Sequence, residues 1–293
     1  MVGAAVEDTA EDSLPLEVIA AVVFGAFLHA GWNALIKSGR DVFQDTVLVT
    51  AGAAGFGAIA LALLPTPLRP SWPFIGASGV IHVIYFSLVA AAYRLGDLSQ
   101  AYPLMRGAAP LLVAVASGAL LSEFPPPLVW AGIVLISGGV YGLGRTAGGP
   151  TRASAGPTLV ALATAVVIAT YTFVDGVGAR RSGQPVSYTA WVFVLTAVPL
   201  LAWAAVRAPA RVVAHLRHRW FVALVGGLST AGSYGIALWA MTRAPIAPVA
   251  ALRETSILFG IGLAAAVLKE RFGAARIVGA VSIAAGVVLL RLA

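Results

Sequence analysis

The chain contains no cysteine. That excludes disulfides, thiolate metal sites and a cysteine nucleophile. Charge is scarce as well: only 11% of the 293 residues are Asp, Glu, Lys or Arg, against about 25% in a soluble globular protein. With 59% hydrophobic residues, there is too little polar surface to cover a water-facing globule, which excludes an ordinary soluble enzyme and a disordered chain. No phosphate-binding Walker loop is present, since the stretch from Gly31 to Lys37-Ser38 lacks the glycine before the lysine. Neither H-E-x-x-H nor G-x-S-x-G occurs. The balance of 19 basic over 12 acidic residues is spread between apolar runs, without a stripe of arginines and aromatics. It suits anionic lipid headgroups and gives no reason to expect nucleic acid. No metal or cofactor is expected: His215 and His218, in the basic stretch Arg207–Arg219, lack a carboxylate partner in sequence, and that stretch reads as an interfacial loop.

Long apolar runs fill the rest. A helix needs about 20 mostly apolar residues to cross the hydrocarbon core. Ten segments qualify: 17–37, 44–64, 72–94, 99–121, 126–144, 157–179, 187–206, 220–242, 247–268 and 273–291. The expected fold is therefore all-α and integral to the membrane. Its parts are an acidic N-terminal tail at 1–16, five spans over 17–144, a linker at 145–156, and five spans over 157–293. The tail lacks the basic start of a signal peptide and is expected to be retained. Basic residues concentrate in the odd-numbered loops, which by the positive-inside rule puts both termini outside.

The two halves match at a constant offset of 147. Arg106 pairs with Arg253, Leu121 with Leu268, Glu123 with Glu270, Gly132 with Gly279, Ile136 with Ile283 and Gly139 with Gly286. Upstream, Arg40 pairs with Arg180 and Gln44 with Gln184 at an offset of 140. Because five is odd, the second unit enters the membrane from the opposite side. Such inverted repeats are a common construction of secondary transporters, with substrate bound near the midplane between the units.

The runs Arg106-Gly107-Ala108-Ala109-Pro110, Leu121-Ser122-Glu123 and Ser137-Gly138-Gly139-Val140 resemble the repeat signature of the drug/metabolite transporter superfamily, of the EamA type. Arg253, Leu268-Lys269-Glu270-Arg271-Phe272, Gly279 and Gly286-Val287 look like its second copy. The resemblance implies a ten-helix transporter of metabolites and amino acids, often outward, with both termini in the cytoplasm. That orientation opposes the charge count. Ile257 stands where the first copy has Pro110, which predicts a less kinked second copy.

A charged side chain facing lipid at mid-helix costs roughly 2.5–3.5 kcal/mol. Arg106, Arg253 and Glu254 lie inside spans, so they are expected to face the bundle. The arginines are candidates for binding a substrate carboxylate through a bidentate fork, or for a structural ion pair with Glu254. Glu254, then Asp175, are candidate proton carriers or counter-ions. His29, Trp32 and Asn33 share one face of the first span. His82 and Tyr85 form a stripe on the third, Tyr102 precedes Arg106 by one turn, and Tyr171 precedes Asp175. With Tyr234 and Trp239 on the eighth, these groups are expected to line an aromatic cavity suited to planar or cationic solutes. Pro103, Pro110, Pro245 and Pro248 are candidate hinges. Glu123 and Glu270, each just before the next helix, are expected to be structural caps. Spans five and ten, rich in small residues, are expected to be scaffold.

The expected function is export of small organic solutes, most of all aromatic or neutral amino acids, across a bacterial-type inner membrane by alternating access. The alternative is a proton-coupled drug exporter or a lipid-carrier flippase. An intramembrane enzyme would need paired catalytic groups, and no motif supplies them.

Overall fold

The computed structural model describes residues 14–95, 98–147, 155–268 and 273–293, with side chains at 14–89, 103–143, 156–263 and 273–293. The expected tail lies almost wholly outside the described residues, as do Glu270 and the side chain of Tyr102.

Helices dominate, because in lipid every backbone N–H and C=O must be satisfied within the segment. They are α1 (Leu16–Lys37), α2 (Val42–Leu63), α3 (Trp72–Leu95), α4 (Leu98–Leu121), α5 (Pro127–Ala147), α6 (Ala155–Ser182), α7 (Pro185–Arg207), α8 (Pro209–Phe221), α9 (Gly227–Met241), α10 (Ile246–Arg253), α11 (Ser256–Leu268) and α12 (Ala274–Leu292). Among the described residues no strand occurs. Among the described residues, nine helical segments are long and apolar enough to cross a membrane, and the described part of α5 is a shorter apolar helix. Local signals set the ends. Asp41 Oδ1 accepts from the Gln44 N–H at 3.0 Å and caps α2. Proline opens α7 and α8, where its missing N–H costs nothing. Gly183, at φ +62°, follows the end of α6.

Two spans depart from the sequence expectation. The eighth is α9 preceded by a π-helical turn at Val222–Gly226, and the basic stretch before it is helical (α8) rather than a loop. The ninth is broken. Helix α10 stops at Arg253, and i→i+3 bonds carry the chain through Glu254 and Thr255 into α11. The second copy is therefore interrupted without a proline. Pro103 and Pro110 lie inside α4, whereas Pro245 precedes α10 and Pro248 sits in its first turn. There the N–H has no intrahelical partner anyway, so neither interrupts a helix.

The packing follows the repeat. Helix α5 packs on α12, α2 on α7 and α4 on α10, each a span against its own counterpart. Three further contacts come in exchanged pairs: α4 on α6 with α1 on α11, α3 on α6 with α1 on α9, and α2 on α9 with α3 on α7. The axis is visible where α5 crosses α12. Ser282 Oγ donates to the carbonyl of Leu135 at 2.8 Å, across a separation of 147 residues. Gly132 faces Gly286 while Gly139 faces Gly279, so the two helices run antiparallel. Equivalent helices that meet antiparallel on a twofold axis make the repeats inverted, as expected.

Candidate functional site

Polar side chains from seven helices meet inside the bundle. Helix α6 supplies Tyr171 and Asp175, one turn apart. Asp175 is fully buried. One carboxylate oxygen accepts from the Tyr188 hydroxyl of α7 at 2.8 Å. The other accepts from the Tyr234 hydroxyl of α9. Ser78 and His82 of α3 stand beside it. His82 Nδ1 lies 2.9 Å from the Ser78 carbonyl and 3.2 Å from its hydroxyl. A carbonyl only accepts, so Nδ1 is the donor there.

Aromatic rings wall this carboxylate. His82 and Tyr171 lie 4.6 Å apart, Tyr85 and Tyr171 5.7 Å, and Tyr171 and Tyr234 6.4 Å. Phe193 of α7 meets the Tyr234 ring edge-on at 6.0 Å. The Arg253 guanidinium stands over the Tyr234 ring, 5.2 Å from its centroid, a cation–π geometry.

The two repeat-related arginines have different partners. Arg106 Nε lies 3.0 Å from Glu254 Oε2, off the linear hydrogen-bond direction, and Arg106 Nη2 lies 3.5 Å from Ser256 Oγ. Both charges are buried. Arg253 makes no ion pair among the described residues. The break after α10 produces this division, since it turns Glu254 toward α4 and leaves Arg253 on the aromatic side. His29 lies within electrostatic reach of both guanidiniums.

Other sequence candidates lie elsewhere. Asn33 Nδ2 donates to the His29 carbonyl one turn back, at 2.8 Å. Trp32 touches the His29 ring but packs with Ile36, Leu48, Val49 and Val222. Trp239 lines an apolar cavity of about 390 Å³ between α2, α7 and α9, with Arg243 over its ring. Glu123 meets the start of α10 rather than of α5: Oε2 accepts from the Ile246 N–H at 3.3 Å, and Oε1 pairs with Arg180. Arg180 also donates to the carbonyls of Met241 and Ala244. Tyr188 and Ser78 are absent from the sequence-based set. Tyr188 sits in the first turn of its helix and reads as a headgroup-level tyrosine. Only its position opposite Asp175 reveals it. Among the described residues no group of three His, Asp or Glu side chains fits a metal ion.

The profile of the EamA-like transporter family matches residues 16–145 and 157–292. No curated protein matches the chain. A solved structure described as "Crystal structure of protein" superposes with a TM-score of 0.73 at 23% identity, covering 93% of this chain and 96% of that one. This likeness concerns the fold alone. The ten-helix inverted architecture and the profile match over both repeats lead to one conclusion: the chain belongs to the EamA-like transporter family, the membrane transporters of the drug/metabolite type.

Proposed function

We propose that the protein exports aromatic or neutral amino acids, or closely related metabolites, across a bacterial-type inner membrane by rocking one repeat against the other. The observation that carries this reading is the set Arg253, Tyr234 and Asp175 in direct succession: a guanidinium over an aromatic ring whose hydroxyl rests on a buried carboxylate. A zwitterion needs a cation for its carboxylate and an acceptor for its ammonium. The Tyr171, Tyr234 and His82 rings between them suit an apolar or aromatic side chain.

Proton coupling is the second reading, and the ion pair of Glu254 with Arg106 moves it to another residue. Asp175 is held by hydroxyls, so it can exchange a proton without breaking an ion pair.

The test is release of labelled tryptophan, phenylalanine or leucine from sealed liposomes carrying the purified protein, with and without a pH gradient. A hydrogen bond to a charged group contributes about 1.5–3 kcal/mol, so Arg253→Ala is expected to weaken apparent substrate affinity roughly ten- to hundredfold. Release that ignores the gradient supports exchange or facilitated diffusion. Gradient-driven release lost in Asp175→Asn supports antiport. Absence of release for every amino acid overturns the substrate class and moves the search to drugs and lipid carriers.

A further inference from the structure

Helix α8 connects two membrane spans, yet none of its 13 residues is buried. Its place is fixed from both ends. Arg207 closes α7, and the π turn at Val222 leads directly into α9. The helix therefore lies at the level where hydrocarbon gives way to headgroups, and it packs back on α2 and α7. Val213, Leu216 and Trp220 share one exposed side of it at i, i+3 and i+7, while half-buried Val212 lies with His215 and Arg219 on the side toward the bundle. Val213 is 50% exposed and Trp220 59%. Arg211 lies on the opposite side, and Arg217 flanks the stripe.

The basic residues divide into two sets. His215 Nε2 and Arg219 Nε both reach Asp45 Oδ1 of α2, at 2.8 and 2.9 Å, and the Asp45 carboxylate is fully buried. Arg219 also donates to the Leu35 carbonyl near the end of α1. The backbone at Arg219 leaves the helical region, which turns this guanidinium inward. The clamp holds α8 against the bundle. Arg207, Arg211 and Arg217 remain exposed and make no ion pair among the described residues.

We propose that α8 is a recognition element for an anionic lipid surface. Its apolar stripe enters the acyl boundary and its unpaired arginines bind the headgroups, while Asp45 fixes the helix in that plane. An amphipathic basic helix gains from both terms, and each arginine near an anionic surface adds about 1 kcal/mol, or about fivefold in lipid partition. The clamp passes this engagement to α1 and α2, the helices that carry His29 and one wall of the apolar cavity.

The experiment uses the full chain in vesicles of phosphatidylcholine with a minor fraction of phosphatidylglycerol. Bromine labels are placed on the acyl chains of one lipid or the other. Trp220 emission is isolated as the difference between the wild type and Trp220→Phe. Brominated phosphatidylglycerol is expected to quench Trp220 several-fold more, per mole fraction, than brominated phosphatidylcholine. The preference should fall with added salt. The double variant Arg211→Gln, Arg217→Gln should lose the preference and keep the quenching. Equal quenching by both lipids in the wild type would overturn anionic recognition. Absence of quenching by either would overturn the placement of the helix.

Discussion

Replacing Arg106 with alanine is expected to cost about 3–5 kcal/mol of stability, because it leaves the Glu254 carboxylate buried without its ion-pair partner. Glu254→Ala is expected to cost a similar amount by stranding Arg106. The double variant Arg106→Ala, Glu254→Ala should lose clearly less than the sum of the two, since replacing both members of a buried pair removes the uncompensated charge. Thermal unfolding of the purified protein in detergent reads all three. Two single losses that simply add in the double variant would show that the pair is not coupled.

The same pair explains why this prediction concerns stability rather than substrate. The Glu254 carboxylate balances the Arg106 charge where both are buried. Arg253, one repeat away, stands over the Tyr234 ring instead and makes no ion pair among the described residues. From sequence the two arginines are equivalent. The asymmetry comes from Glu254, which has no counterpart in the first copy, where Gly107 stands.

Most of the fold is legible in the sequence for a single reason. Lipid forces every spanning segment to be helical and apolar, so span edges follow hydropathy closely. The repeat is legible because its charged and glycine positions recur at one offset. Features with no hydropathic signature are not legible. Helix α8 is short and buries nothing, so its amphipathic pattern disappears within a basic stretch. The break at Glu254 and Thr255 lacks a proline, and Pro245 and Pro248 draw attention to the start of α10 instead.

The candidate site is legible in part. His82, Tyr85, Tyr171, Asp175, Tyr234 and Arg253 come together because each lies on an inward face at mid-span. Trp32, Asn33 and Trp239 satisfy the same periodicity but turn to other partners. Periodicity fixes which residues share a face, and only neighbouring helices determine what that face meets. Glu123 illustrates the same limit. Its place before α5 suggested the local helix start, yet its carboxylate reaches across to α10, in the other repeat.

Adjacent glycines in α5 are expected to respond oppositely to the same substitution. A Cβ on Gly138 meets no atom within 4 Å, whereas one on Gly139 would lie 2.7 Å from both the Gly279 carbonyl oxygen and Ile283 Cγ1. Gly138→Ala should therefore be neutral or gain up to about 0.5–1 kcal/mol from reduced backbone entropy. Gly139→Ala must push α5 and α12 apart at the axis, at a cost of about 1–3 kcal/mol. In lipid this loss is felt fully, because helix association there depends on close packing rather than on a hydrophobic drive. The repeat sharpens the expectation. Gly286 is the counterpart of Gly139, and a Cβ on it would lie 2.7 Å from the Gly132 carbonyl oxygen. Gly286→Ala should therefore cost as much as Gly139→Ala. Both substitutions separate the same helix pair, so the double variant should lose less than the sum of the two. Thermal unfolding in detergent again gives the measure. Equal effects at positions 138 and 139 would show that the helices do not meet at Gly139. A large loss at 139 with none at 286 would show that the twofold relation, though present in the sequence, does not govern the packing.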